Sequence, residues 1–345
     1  MHGSLRYLKR ESGCKRLRKV IAAAIQPGYI SIPEPYRCMS DTYTNHPGEI
    51  IENYVKAQLE VTAGLLEQAG KEGCDIVVTS EDMTGLTEYA MDITEKNIFP
   101  ELAELSQVLA EARLAGIAAK HSMYVVGCFF KRAGGHICNT AVIFGRNGDI
   151  VGEYRKTHLP FNEKWQCTPG DDISVFELDF GKVGVCICYE MMFPEFMEVQ
   201  SLKGAEIVLH PTLGYGWYDE IGEATLRTRA NDNSVYIATS KNYSYNSAGK
   251  SSIIDFWGQV LSQGGFYENA VVKRELDLDF KKTQPHWHYS VQTSGIGEVN
   301  VRKSVERRPE LYSGLSEPLQ QEYRGPDRRQ KLEVLERIRT GECHW

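Results

Sequence analysis

A chain of 345 residues with 42% hydrophobic content can bury a core of domain size, which excludes disorder of the whole. Its formal net charge of -7 argues against an extended phosphate-binding surface, so no nucleic-acid partner is expected. No run approaches the roughly 18 apolar residues a membrane span requires, so the expectation is a soluble protein with no membrane partner.

The first 18 residues collect Arg6, Lys9, Arg10, Lys15, Arg16 and Arg18 against Glu11 alone, and read as a basic extension, with a weak transit signal as the alternative. A strand is expected over 19–26, closed by Pro27-Gly28, then a long loop rich in Pro, Tyr and Asn. Apolar residues at helical spacing (Ile50, Ile51, Tyr54, Val55, Leu59, Ala63, Leu66, Ala69) predict a helix over 49–73 that ends at glycine. A short buried strand over 75–79 delivers Ser80-Glu81-Asp82 to its C-terminal end. A second helix over about 99–121 and a strand over 123–130 follow. Strands over 140–144 and 150–154 flank Asn147-Gly148, a strong hairpin cue, and the second runs into Arg155-Lys156. The stretch from Thr157 to Trp165 reads as a loop.

Lys182 to Cys188 is apolar, small and β-branched, and reads as a strand buried on both faces. Helical spacing resumes over 194–203, which puts Cys188 on a tight strand-to-helix turn. A helix N-terminus there would stabilise a thiolate nucleophile, while a small core residue is the plain alternative. A strand from Glu206 ends in His210-Pro211-Thr212, and His210, Thr212, Tyr215 and Trp217, with Tyr189, are candidate substrate contacts; a core histidine and a packing tryptophan are the alternatives. Arg227 and Arg229 sit on a helix before a strand over 235–239, as structural ion-pairing groups or as partners of a substrate carboxylate.

Two segments echo earlier ones. Gly204-Ala205-Glu206-Ile207-Val208-Leu209 repeats the pattern of Gly73 to Val78, and the hairpin around Gly258 repeats that around Gly148. The expectation is an α/β fold of two related halves, with two mixed sheets packed face to face and helices outside. The core spans 19–280. Residues 281–345 form a polar tail that contacts a neighbouring subunit, with a last helical stretch over 329–340. Nine cysteines, odd in number and scattered, fit reduced thiols in the cytoplasm. Cys186 and Cys188 have no second pair at zinc spacing, so no metal site is expected.

Glu81, Lys156 and Cys188 each stand at the end of a strand, and together they make a complete set for acyl transfer without a cofactor. The thiol attacks a carbonyl or nitrile carbon, the carboxylate takes its proton and later activates water, and the ammonium steadies the oxyanion.

These residues, within Asp75 to Glu81, Gly152 to Pro160 and Val185 to Glu190 followed by Phe193-Pro194-Glu195, resemble the nitrilase or carbon–nitrogen hydrolase superfamily. The resemblance covers Lys19 to about Asp279. It implies a four-layer αββα sandwich with pseudo-twofold symmetry, Glu81 as base, Lys156 as oxyanion stabiliser and Cys188 as nucleophile. Cys188 is chosen over Cys186 because Tyr189-Glu190 follows it. The resemblance also implies a second glutamate, Glu163, that orients Lys156 or the attacking group, and a homodimer or larger homo-oligomer. Two positions depart from the family pattern: Ser80 replaces a proline, and Tyr189 replaces the Trp usual in nitrile-hydrolysing members. Tyr189 tips the substrate toward an amide or an N-carbamoyl (ureido) compound. A nitrilase, or a scaffold that has lost turnover, is the alternative.

Overall fold

The first strand already contains the logic of the fold. In the computed structural model, which describes residues 18–30, 48–90, 98–160, 163–214, 219–244, 247–283 and 307–316 and positions 333 and 337, β1 (Lys19–Gln26) divides its side chains by alternation. Val20, Ala22 and Ala24 enter one core, while Ala23 and Ile25 enter another. A strand buried on both faces must lie inside a layered structure.

The chain continues through α1 (Gly48–Lys71), β2 (Ile76–Val78), α2 (Thr87–Ala90), α3 (Phe99–His121), β3 (Tyr124–Ala133), β4 (His136–Phe144) and β5 (Ile150–Arg155). Next come β6 (Val175–Leu178), β7 (Gly181–Val185), α4 (Pro194–Leu202), β8 (Ile207–Thr212), α5 (Asp219–Asn233) and β9 (Tyr236–Lys241). The small pair β10 (Tyr243–Ser244) and β11 (Ser247–Ala248) precedes β12 (Ser252–Ile254), β13 (Val260–Gln263), β14 (Ala270–Asp277) and α6 (Leu278–Thr283). Two six-stranded sheets result, ordered β14-β1-β2-β3-β4-β5 and β13-β12-β9-β8-β7-β6. In the first, β1, β2 and β3 are parallel, with β14 antiparallel on one side and the β4–β5 hairpin on the other. In the second, β7, β8 and β9 are parallel, flanked by β6 and by the β12–β13 hairpin. The same pattern occurs twice, and the two echoes in the sequence fall on matching elements, β2 with β8 and β4–β5 with β12–β13.

The layers follow from which face each residue takes. Leu59, Ala63 and Leu66 of α1 and Ala110, Leu114 and Ile117 of α3 pack with Ala23, Val77 and Val125 on the outer face of the first sheet. Ala22, Ile76 and Val126 turn inward to a core shared with Val183, Leu209 and Ala238 of the second sheet, whose other side takes Phe196 and Met197 of α4 and Leu226 and Ala230 of α5. The fold is therefore the expected αββα sandwich.

Several boundaries differ from expectation in instructive ways. The strand before the nucleophile stops at Val185, and β6 and β14 had no signal in the apolar pattern. β14 carries Lys273, Arg274 and Glu275 because it is the edge of its sheet, where solvated side chains are tolerated. Arg18 donates to Glu206 at 3.0 Å and to Asp279 at 2.9 Å, which ties the start of β1 to the second sheet and to α6. In the tail, two short 3₁₀ turns at Pro309–Leu311 and Ser313–Ser316 are described, and Arg307 pairs with Glu198 of α4 at 2.6 Å. The basic extension up to residue 17 and most of the stretch 329–340 lie outside the described residues. Among the described residues, no helix is long and apolar enough to cross a membrane.

Candidate active site

Parallel neighbours in a sheet end on the same side, so β2, β7 and β8 deliver their following residues to the rims of two facing sheets. After β2 the chain turns sharply, with Asp82 at a φ of 45°. The turn is tied to β3 by Thr79 N–H to Val126 O and Met83 N–H to Cys128 O, both 2.9 Å. Asp82 is buried and accepts the Thr87 N–H and hydroxyl at 2.6 Å, and burial pushes its carboxyl up to about 7. Glu81 is thereby aimed inward from a rigid loop, Ser80 notwithstanding.

Lys156 follows β5 directly, and its N–H donates to Asn139 O at 2.9 Å, so the two residues stand opposite each other across the hairpin. Its ammonium lies 2.7 Å from Glu81 Oε1 and 3.0 Å from Glu163 Oε2, with the lysine side chain 1% exposed. Asn139 uses one amide nitrogen to bridge the two acids, donating to Oε1 of Glu81 and of Glu163 at 2.9 Å each. Leu213 N–H donates to Glu81 Oε2 at 3.2 Å. Glu163 opens a 3₁₀ turn, Glu163–Trp165. A buried ammonium between two carboxylates makes the net charge of the cluster depend on one proton. Burial alone would lower the lysine, but the charges of Glu81 and Glu163 outweigh it and hold Lys156 well above its usual range. Burial also acts on both acids: Lys156 outweighs it at Glu81, which falls below the carboxylate range, whereas Glu163, also beside Glu81, stays above it.

Cys188 begins a 3₁₀ turn, Cys188–Met192, with a φ of 49°, the left-handed region that a tight turn demands. The residue is half-buried, unlike Cys186, which is wholly enclosed. Besides burial, Glu81 and the Thr212 hydroxyl both act on the thiol's ionisation, Glu81 raising its pKa and Thr212 lowering it. His210, 1% exposed, shares a hydrogen bond with Thr239 Oγ1 at 2.8 Å through Nδ1, and its Nε2 lies 3.3 Å from the Cys188 carbonyl. With Nε2 as the donor, the imidazole pins the nucleophile's backbone. Burial lowers it to about 4, so the ring is neutral at physiological pH.

The expectation of a thiolate stabilised by a helix N-terminus does not hold. Burial and then the Glu81 charge push the thiol up to about 12, and α4 begins at Pro194, a full turn beyond the cysteine. The resting pair is a thiol beside a carboxylate.

The structure brings the predicted Glu81, Lys156, Glu163, Cys188, His210 and Thr212 to one place. Tyr189 is 41% exposed and packs edge-on against Phe193 at 5.2 Å. Tyr215 and Trp217 lie outside the described residues. Arg227 donates to Gly258 O at 2.7 Å and Arg229 to Met191 O at 3.3 Å, both structural contacts to backbone. Asn139 was missed, although an amide within Ile137-Cys138-Asn139-Thr140-Ala141 is a polar interruption of an apolar strand. Among the described residues, no group of His, Cys, Asp and Glu side chains is arranged to hold a metal ion.

Known proteins resemble this chain in sequence and in fold. The omega-amidase NIT2 of Bos taurus is 30% identical over 267 residues, spanning 70% of this chain and 91% of its own. A nitrilase of Pyrococcus abyssi is 32% identical over 271 residues, spanning 76% and 93%. Among solved structures, a carbon-nitrogen hydrolase from Helicobacter pylori G27 superposes with a TM-score of 0.64 at 24% identity, covering 77% of this chain and 91% of that one. An amidase from Nesterenkonia sp. gives 0.60 at 19%, covering 77% and 93%; these two show the fold alone. The carbon-nitrogen hydrolase family model matches residues 48–284, most of the chain, and the chain belongs to that family.

Proposed function

We propose that the chain hydrolyses a small linear amide through a thioester on Cys188. The observation that carries the reading is Glu81, buried and 2.7 Å from the Lys156 ammonium, with its charge acting on the Cys188 thiol. As Sγ bonds to the amide carbon, the thiol proton passes to Glu81, and the carbonyl oxygen becomes an oxyanion beside Lys156. A thiol held above its ordinary range needs that base, and the base is ionised because Lys156 holds it so. Glu81 then returns the proton to the nitrogen, the C–N bond breaks and ammonia leaves. Water attacks the thioester, gives one proton to Glu81, and the carbon–sulfur bond breaks to release the carboxylic acid and restore the thiol. Glu163 and Asn139 hold Lys156 and Glu81 at fixed separation throughout. Tyr189 and Thr212 are the proposed substrate contacts, with His210 acting through the Cys188 carbonyl.

The similarity to an omega-amidase supports an amide substrate, and that to a nitrilase keeps a nitrile in the test. Wild type and Cys188→Ala are offered primary linear amides, N-carbamoyl amines and nitriles, with ammonia and acid quantified. The expected result is one ammonia per carboxylate from an amide, hydroxamate formation when hydroxylamine competes with water, and neither from the variant. Carbon dioxide with an amine would reassign the substrate as ureido, and turnover of nitriles alone would make the chain a nitrilase. Full activity in Cys188→Ala sinks the mechanism.

A further inference from the structure

Glu190 is two residues past the proposed nucleophile, wholly buried, and touches none of the groups that react. Its surroundings are all donors. Oε2 accepts the Ile187 N–H at 2.7 Å. Oε1 accepts the Thr157 N–H at 2.7 Å, the Thr157 hydroxyl at 2.8 Å and the Tyr154 hydroxyl, with the His158 N–H further off at 3.4 Å. Ile187 precedes Cys188 and Thr157 follows Lys156. One carboxylate therefore ties the segment that carries the thiol to the segment that carries the ammonium, one bond on each side, across two different sheets.

We propose that Glu190 is a positioning residue, which sets the distance between the Cys188 sulfur and the Lys156 ammonium by holding the Ile187 and Thr157 backbone amides to its two oxygens. The left-handed Cys188 is the kind of conformation that persists only where its surroundings over-determine it, and the Ile187 N–H is the nearest amide on its N-terminal side. Displacement of reacting groups by about 1 Å costs on the order of 10²-fold in rate, so a tether of this kind acts on turnover more than on binding. The proposal rests on Cys188 as the nucleophile, and its test includes a readout that needs no substrate.

Glu190→Gln keeps the size and replaces one acceptor with an NH₂ donor. Since every neighbour donates, that NH₂ must face either Ile187 or the Thr157 group, and one side of the tie opens. With active sites counted by thiol titration, kcat is expected to fall about 30- to 100-fold while KM changes less than about threefold. The rate of Cys188 alkylation by iodoacetamide, followed on its peptide by mass spectrometry, is expected to slow, because the sulfur no longer meets Glu81 squarely. A merely structural role predicts the reverse, faster labelling of a loosened thiol with kcat per reactive site unchanged. Unchanged kcat per site, a KM rise that accounts for the whole loss, or faster labelling overturns the proposal. Should Glu190→Gln fail to fold, Glu190→Asp keeps the carboxylate but shortens the side chain by one methylene, so it cannot reach the Ile187 and Thr157 amides together. It is expected to lower kcat about 3- to 10-fold with slower labelling, and wild-type values in both overturn the proposal equally. If Cys188→Ala keeps activity, the reading of the nucleophile has failed, whatever Glu190 does.

Discussion

The two sheets repeat one topology, yet their rims are built in opposite ways. On the first, Glu81, Lys156, Glu163 and Asn139 are all 8% exposed or less and are joined side chain to side chain. On the second, Cys188 is half-buried on a left-handed turn, and its neighbours Glu190 and His210 grip backbone atoms, Ile187 N–H and Cys188 O. Charges buried in a medium of low polarity are stable only as a mutually satisfied group, so the first rim must be complete to exist at all. A neutral thiol makes no such demand, and only its position matters. Loss of the cation should therefore damage fold and activity together, whereas loss of the sulfur should damage activity alone.

Lys156→Met is the strongest way to break the contrast. It leaves Glu81 and Glu163 buried and without their ammonium, so stability should fall by about 3–5 kcal/mol in urea titration. Amide turnover should fall at least about 10³-fold as oxyanion stabilisation and base ionisation are lost together. Cys188→Ala, in the same titration, should stay within about 1 kcal/mol of wild type. Equal losses of stability in the two variants would erase the distinction between the rims.

Asn139→Leu tests the bridge at its centre. The apolar side chain fits the strand but removes one donor from each acid, so a loss of about 1–3 kcal/mol and about 10- to 100-fold in kcat is expected. A wild-type kcat would reduce Asn139 to a packing residue.

That Asn139 escaped notice shows where sequence stops being legible. Turn cues and strand periodicity place Glu81, Lys156 and Cys188 at strand ends, and those signals are local. Asn139 matters because the register sets it opposite Lys156 and beneath two acids from distant loops, and register across a hairpin is a property of the pair. The same limit explains β14, an edge strand of the first sheet recruited from beyond every strand of the second, whose charged residues hide its strand character. The ionisation of Cys188 also could not be read, since a cysteine on a turn before a helix looks activated until the burial and the neighbouring Glu81 are known. The pairing of the two halves was legible, because it is written in repeated strand and hairpin patterns, and those repeats fall on equivalent strands.

The mildest prediction reaches the second rim through pH. His210 falls from an ordinary 6.5 to about 4 on folding, because burial disfavours the imidazolium. Its neutral ring therefore contributes stability in full above the unfolded value, and that contribution is lost as pH falls from 6.5 toward 4. Asp82, raised to about 7, works in the other direction: its contribution is present at low pH and lost as pH rises through 7. The two nearly cancel over this window, so the pH profile of the wild type alone is uninformative. His210→Gln removes only the imidazole. The stability of wild type minus that of the variant should fall by about 2 kcal/mol from pH 8 to pH 5, which follows from the shift in the ring's proton affinity. A flat difference across that range would mean that the ring takes up a proton as easily inside the fold as outside it. Its contact with the Cys188 carbonyl would then be a bond from an imidazolium below pH 6.5, and the second rim would hold a buried cation there as the first does.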